Sequence, residues 1–371
     1  MKARHLARLL FVLSVAGWVP QSIFAQPAFA SQPPLSAADT LVEQNHYKRA
    51  RVIVDAHLRE NPRDAHAYYL ASRIQEAMGH LHEAGALAEK SVEFGPAEAR
   101  NHAQLAECYA YTADRSTWVK GIGFVHLMKK ELAATFATHP HDTDALLVAM
   151  MFAFHAPSLA GGDRKKAYEL ADEMIQYDPR WGYLAKARLA EEDSPDATIE
   201  SWLKKAVQND PRHYRALQEA ATFYCCAAKQ KNLAEAERLG KQMLQLDPGQ
   251  AMGYKALAAV YARWQRWADL EAVLSQAEKA VPDDLTPYYQ AAEGLTEIGQ
   301  DLPRAERYLA RYMTQESEGR EPERGQAKWL LATLYEKTGR TPDAIRELEA
   351  AIRISPDFEP AKKDLRRLRR S

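Results

Sequence analysis

Histidines with acidic neighbours are the first residues to test for chemistry. His80 and His82 flank a turn beside Glu83, and His139-Pro140-His141-Asp142 forms a second such cluster. Zinc enzymes commonly hold two histidines four residues apart on one helix face, as in H-E-x-x-H, so that both rings reach one ion. Neither cluster has that spacing, and no H-E-x-x-H occurs. There is also no G-x-S-x-G elbow to present a serine nucleophile, no dinucleotide-binding glycine fingerprint, and no single cleft in which paired carboxylates can be argued. Gly161-Gly162-Asp163 fails as a phosphate loop, because Lys followed by Ser or Thr is missing at the required spacing. Trp264 and Trp267 lie close to Arg263 and Arg266 and suit a cation–π ligand site, although Trp267 is better placed to plug a turn. The residues call for no catalytic group, no cofactor and no metal, so a non-enzymatic protein is expected.

The elements that position these residues are announced by prolines. Pro62, Pro96, Pro140, Pro179, Pro211, Pro248, Pro282 and Pro356 are spaced by 34, 44, 39, 32, 37, 34 and 74 residues, the last interval being two periods with one proline missing. Four follow an aspartate or asparagine, as in Asn61-Pro62 and Asp247-Pro248. A period near 34 is the length of one helix–turn–helix unit, which points to a stacked array. Alanine, leucine, glutamate, lysine and arginine dominate, and runs of β-branched residues are nearly absent, so an all-α class is expected.

The first thirty residues read as a leader rather than as part of the fold. Lys2, Arg4 and Arg8 precede an apolar run from Leu9 to Val19, and Ala28-Phe29-Ala30 gives an A-x-A cleavage site, with Ile23-Phe24-Ala25 an earlier one. This is the pattern of a secretory signal peptide, cleaved after Ala25 or Ala30, and implies an exported, periplasmic protein without stable membrane insertion. No cysteine stands at the cleavage point to carry a lipid. Residues 1–30 hold three basic and no acidic groups, so their removal leaves 46 basic against 50 acidic residues. That balance gives no support to nucleic-acid binding. The basic run from Lys362 to Arg370 is explained by a terminal helix whose dipole favours cations at its end. Three cysteines are few for an exported chain. Adjacent Cys225 and Cys226 in a helix are not expected to bridge each other, and Cys108 lies too far along the stack, so all three are expected as buried apolar side chains.

The chain resembles the tetratricopeptide repeat family, whose pattern is W-x2-L-G-x2-Y, then A-x3-F, then P. The clearest copy starts at Gly325, with Leu331, Ala332, Tyr335, Gly339, Ala344, Leu348, Ala351 and Pro356 in place. Residues 251–282 match through Tyr254, Leu257, Ala258, Tyr261, Leu270, Leu274, Ala277 and Pro282, and residues 65–96 through Tyr68, Ala71, Gly79, Ala84, Ala88 and Pro96. The copy at 285 keeps Tyr288, Leu295, Gly299 and Ala305 but lacks the closing proline, and the remaining copies are more degenerate. The resemblance implies a right-handed α-solenoid of about nine helix–turn–helix repeats across residues 31–356, capped by a C-terminal helix in residues 357–371. Small residues let the two helices approach, large ones fill the layer between units, and each unit is stable only against its neighbours. No central hub that could house catalysis is expected in such an array.

Two intervals depart from the period. Pro96 to Pro140 is ten residues too long and the next interval five too long, and the excess is assigned to Thr117–Phe124 and Phe154–Ala160. Both fall at the turn inside a unit, so the two insertions should be neighbours and raise a patch from Trp118, Lys120, Phe124, His155, Pro157 and Ser158. Ala156-Pro157 through Lys166-Ala167 is similar to a turn found in various exported bacterial tetratricopeptide proteins, and more loosely to lipoproteins linked to TRAP-type solute transporters. The family's concave groove, lined by the first helix of each unit, would here display Tyr69, Arg73, Glu76, Arg100, Glu107, Arg215, Gln218, Lys255, Arg263, Tyr289, Glu293, Trp329 and Glu336. Mixed charge with interleaved aromatics suits a protein or peptide segment as partner. The clamp that some members use for a C-terminal carboxylate is not reproduced. The expected function is a protein-interaction scaffold or adaptor; an accessory of a solute transporter or polysaccharide-export system, handling a small ligand or glycan, is the alternative.

Overall fold

The computed structural model describes residues 35–319 and 322–370, and these are helices and their connections without a strand. The leader expected at residues 1–30 lies outside the described residues. In chain order the α-helices are α1 (Leu35–Glu43), α2 (Tyr47–Glu60), α3 (Ala65–Ala77), α4 (Leu81–Phe94), α5 (Ala99–Asp114) and α6 (Trp118–Thr138). They continue with α7 (Thr143–His155), α8 (Arg164–Tyr177), α9 (Pro179–Asp193), α10 (Asp196–Asn209), α11 (Tyr214–Thr222) and α12 (Leu233–Leu246). The last are α13 (Ala251–Arg263), α14 (Trp267–Ala280), α15 (Thr286–Ile298), α16 (Leu302–Tyr312), α17 (Arg324–Lys337), α18 (Thr341–Ile354) and α19 (Glu359–Leu368). Successive helices pair as hairpins from α1–α2 to α17–α18, each hairpin packs on the next, and α19 closes the array against α18. The architecture is an α-solenoid.

The prolines do what their chemistry requires. Helices α2, α4, α6, α8, α10, α12, α14 and α18 each end two residues before one, because the residue preceding a proline is pushed out of helical geometry. Six of the hairpin turns pass through the left-handed region: Gly79 (φ 85°), Gly161 (φ 99°), Gly299 (φ 68°) and Gly339 (φ 73°) supply it, and Asn45, Gln265 and Asp301 also adopt it. Asp64, Asp142 and Asp163 cap the helices that follow them, each carboxylate accepting a backbone N–H of the first turn.

Fully buried Ala50, Ala84, Ala167, Ala236, Ala305 and Ala344 sit in the second helix of their hairpins. A tyrosine strap recurs outside these contacts. Tyr109 donates to Glu89, Tyr224 to Glu200, Tyr261 to Glu237 and Tyr335 to Glu306, always from a first helix to the second helix of the preceding hairpin. Arg266 and Arg340 lie over the faces of Tyr261 and Tyr335 and pair with the same two glutamates, Glu237 and Glu306. At the far end Phe358 meets Trp329 edge-on at 5.8 Å, and the Trp329 indole N–H donates to Asp364 at 2.8 Å. The terminal basic run is spent in ion pairs: Arg367 with Glu336 and Asp364, Arg369 with Glu349.

One expectation is corrected. Cys225 and Cys226 form a disulfide. The α-helix ends at Thr222 and Phe223–Ala227 open into a π-turn, so the neighbouring side chains escape the ~100° divergence of a regular α-helix. Cys108 stays free and buried, and burial with nearby Glu76 pushes its thiol up to about 12. The first hairpin also meets the later ones, a feature that the sequence pattern does not address. His46, Lys48 and Gln44 at the α1–α2 turn reach connections more than 200 residues away.

This closure is built around a histidine. His46 is almost fully buried, with Nδ1 2.8 Å from a carboxylate oxygen of Asp283 and Nε2 2.6 Å from the Gly249 carbonyl. Both partners are acceptors, so both ring nitrogens must carry protons and the imidazolium is the species that fits. Gln44 donates to Asp247 at 2.9 Å. The Lys48 backbone N–H donates to Glu318 at 2.8 Å, while its ammonium lies 3.1 Å from the same carboxylate and donates to the Asp283 and Glu316 carbonyls. Glu316 and Glu318 belong to the long connection between α16 and α17, the interval that lacks its proline. Burial opposes the charge on His46 and Arg49 adds to that, but Asp283 and the Gly249 carbonyl outweigh them and raise its pKa. Burial pushes the Glu318 carboxyl up to about 7 against the pull of Lys48.

Both shifts store protons in the folded state, so their stabilisation is complete below the unfolded pKa values and is lost as pH rises through the folded ones. The denaturation midpoint is therefore expected to fall between pH 6 and pH 8, by a free energy on the order of 1–2 kcal/mol. His46→Gln should flatten that slope in urea titrations; an unchanged slope would remove His46 from the closure. For the disulfide, a denatured and unreduced chain should take up one maleimide, at Cys108, and three after reduction.

Candidate functional site

The long interval between Pro96 and Pro140 is taken up by helix. Residues Thr117–Phe124, expected as an inserted loop, are helical from Trp118 onward. Helix α5 has 16 residues where α3 has 13, and α6 has 21 where α4 has 14, which accounts for the whole excess. Seven residues add about 10 Å of helix, so the third hairpin overhangs α7, which has the ordinary 13 residues. Gly121 lets the overhang close up: a Cβ there would stand 3.1 Å from the Ala113 carbonyl oxygen. The second excess is a true insertion. Residues 156–163 join α7 to α8 through a 3-10 turn at Ser158–Ala160 and a left-handed Gly161.

Between overhang and insertion lies a cavity of about 780 Å³. Helix α5 contributes Glu107, Ala110, Tyr111 and Asp114 to its wall, and α6 contributes Trp118, Gly121, Ile122 and Val125. Asp144, Leu147, Met151, Phe152 and His155 come from α7, Pro157 and Ala160 from the inserted turn, and Arg188 from α9. Around it apolar side chains face water: Trp118 is 53% exposed, Val119 81%, Ile122 50% and Leu159 92%.

The inserted turn is held firmly. The Asp163 backbone N–H donates to the Ala153 carbonyl at 2.7 Å, and Gly162 N–H to the Pro157 carbonyl. Lys129 lies over the Phe152 ring and donates to the Ala160 carbonyl.

Carboxyl groups gather on the inner side of the cavity. Burial and the neighbouring Glu76 carboxyl, which hydrogen-bonds to it, push Glu107 well above the usual carboxylate range, with Arg73 pulling the other way. Asp144 is reached by water yet ringed by protein atoms, and that desolvation raises it against the pull of Arg73. Arg73 donates to the Tyr69 hydroxyl at 2.9 Å, and Arg100 lies over the same ring at 5.3 Å. Tyr47 of the first hairpin is mostly enclosed, and burial raises its hydroxyl pKa, with Arg73 and Arg215 pulling the other way.

Residues 325–358 match the family model for the tetratricopeptide repeat. That stretch is a tetratricopeptide repeat. The hairpins before it stack in the same way. No curated protein matches the chain. Among solved structures it is similar to yeast Tom70, at 14% identity over 90% of this chain and 86% of that one, with a TM-score of 0.48. It is also similar to a tetratricopeptide repeat protein from Parabacteroides merdae, at 14% identity over 82% and 98%, with a TM-score of 0.42. Neither likeness speaks to partner or process.

The residues singled out from the sequence fall into four groups. Trp118, His155 and Pro157 come together at the cavity. Phe124 instead packs on Tyr109, 6.1 Å between ring centres, and exposed Lys120 lies off the wall. Tyr69, Arg73, Arg215 and Lys255 are half-buried, Arg215 being paired with Glu219 one turn on at 2.7 Å. Arg263, Tyr289 and Trp329 are engaged internally. Arg263 is 5% exposed and pairs with Glu297, Tyr289 packs edge-on against Tyr312, and Trp329 is covered by α19. Asp144 and Met151 were not anticipated, because α7 opens a degenerate unit with few pattern residues, and neither were Asp114 on α5 and Arg188 on α9.

The rigidity of the inserted turn is testable at Gly162, where a Cβ would stand 1.7 Å from the Ala156 carbonyl oxygen. Gly162→Ala should cost roughly 2–4 kcal/mol in urea denaturation, as strain at a backbone contact does. A cost under about 0.5 kcal/mol would show that the turn adjusts freely.

Proposed function

We propose that this protein is a non-enzymatic scaffold that seats a segment of a protein partner in the cavity between α5, α6 and α7. The observation that carries this reading is the pairing of a 780 Å³ concavity with a helical overhang whose Trp118, Val119 and Ile122 face water. An exposed tryptophan beside an apolar pocket is the usual make-up of a binding hot spot, and helices hold it in place before the partner arrives. Such a cavity is also large enough for several side chains or a short peptide turn. We further propose that the mature chain works in the periplasm. Support for that comes from the basic, apolar and A-x-A segments of residues 1–30 and from the Cys225–Cys226 disulfide, a bond that persists in oxidising compartments.

A photo-crosslinking amino acid at position 118 or 122 should trap one and the same protein in intact cells. The same group at Val52, equally apolar and 69% exposed on α2, should not trap it. With that partner purified, Trp118→Ala is expected to weaken binding by about 30-fold, a hot-spot effect, while the thermal midpoint stays within about 2 °C, as for other surface substitutions. Equal trapping at all three positions, or unchanged affinity, would refute the proposal.

A further inference from the structure

We propose that the segment seated in this cavity is apolar and carries a lysine or arginine at its inner end, placed against the carboxyls of Glu107 and Asp144. The inference rests on the docking reading above and deepens it by naming the chemistry of the occupant. Two features of the wall lead to it.

The outer wall is apolar, formed by Trp118, Ile122, Val125 and Met151, and selects apolar side chains. Acidic groups outnumber basic ones in the cavity lining. Glu107, Asp114 and Asp144 belong to it, and its basic groups, Arg188 and His155, each lie 3.8 Å from a carboxylate outside it, Glu219 and Glu192. Arg73 is the cation behind Glu107 and Asp144, and it is shared with the Tyr69 hydroxyl.

Burial and the neighbouring Glu76 carboxyl raise the Glu107 pKa and so favour its protonated form. Such a proton stands in for a missing cation, since two carboxylates in contact cannot both be ionised. An ammonium or guanidinium entering from the cavity would take over that neutralising role and release the proton. An acidic segment would meet like charge in a desolvated place, which is strongly disfavoured. A neutral apolar segment would bury the carboxyls without a partner, which also opposes binding.

The test uses the full chain and three capped leucine-rich peptides that differ at one central position, occupied by lysine, glutamine or glutamate. Calorimetric titration at pH 7 should rank them lysine first, at least tenfold above glutamine, with glutamate weakest. The lysine peptide should release on the order of one proton per peptide bound, seen as a heat that differs between phosphate and Tris buffers. Glu107→Gln with Asp144→Asn should abolish the lysine advantage and the proton release, and should raise the glutamine peptide's affinity towards that of the lysine peptide. Should the double variant misfold by circular dichroism, Asp144→Asn alone is expected to lose most of the advantage. Equal affinity for the lysine and glutamine peptides, or an advantage that survives these variants, would overturn the charge assignment. In that case Trp118→Ala would still weaken all three peptides. If Trp118→Ala changes none of them, the docking reading fails together with the inference.

Discussion

How closely one helical hairpin can lie against the next sets everything else in this molecule. Ala84, Ala167, Ala236, Ala305 and Ala344 are fully buried, and small side chains of this kind let packed helices approach closely. One larger side chain at such a crossing would force the layers apart, a kind of overpacking that costs about 1–3 kcal/mol. No hairpin covers its own apolar face, so each depends on its neighbours for burial, and stability is a property of the contacts between units. The tyrosine straps from Tyr224 to Glu200, Tyr261 to Glu237 and Tyr335 to Glu306 add direction to this packing. At roughly 0.5–1.5 kcal/mol net for a hydrogen bond of this type, they orient the layers while apolar burial holds them.

A fixed contact repeated along a chain produces a fixed turn per unit, and the turns accumulate. Here they bring the α1–α2 hairpin back against the connections that follow α12, α14 and α16. The missing proline belongs to this event. Where other second helices stop at a proline and hand over within a few residues, α16 ends at Tyr312 and the chain takes eleven residues to reach α17 at Arg324. That length lets Glu316 and Glu318 reach Lys48. Placing His46 between two acceptors makes the junction depend on protonation, whereas the alanine crossings are indifferent to pH.

What could be read from the residues followed their range of action. A proline acts on the residue before it, and eight prolines marked eight helix ends; Gly79, Gly299 and Gly339 likewise marked left-handed turns. The ten extra residues after Pro96 were located correctly but read as a loop, because Gly121 and Gly123 resemble punctuation. Two glycines cost a helix only about 1 kcal/mol each, and α6 absorbs them, using Gly121 for close approach to α5. Trp118, His155 and Glu107 were legible as candidates, being aromatic or charged at departures from the pattern or on a first helix. Asp144, Asp114 and Arg188 were not, since their meeting depends on three hairpins at once. The closure was out of reach for a similar reason: no local rule ties His46 to Asp283, 237 residues away. The Cys225–Cys226 bond was missed because a regular helix was assumed where the backbone widens.

Closure also decides where a partner can dock. In an open solenoid the inner surface is the obvious groove, but here Tyr47 of the first hairpin is mostly enclosed, with Arg73 and Arg215 acting on its hydroxyl. The inner surface therefore spends much of its polarity on itself, as Arg263 with Glu297 and Arg215 with Glu219 also show. Space reappears at the third and fourth hairpins, where lengthened helices stand clear of their neighbours and an extra turn walls the opposite side. Because the overhang is helical, Trp118 and Ile122 keep their relative positions without a partner, and little ordering entropy is left to be lost on binding. The departures from the repeat period and the accessible cavity are thus one feature, produced by lengthening two helices of the array.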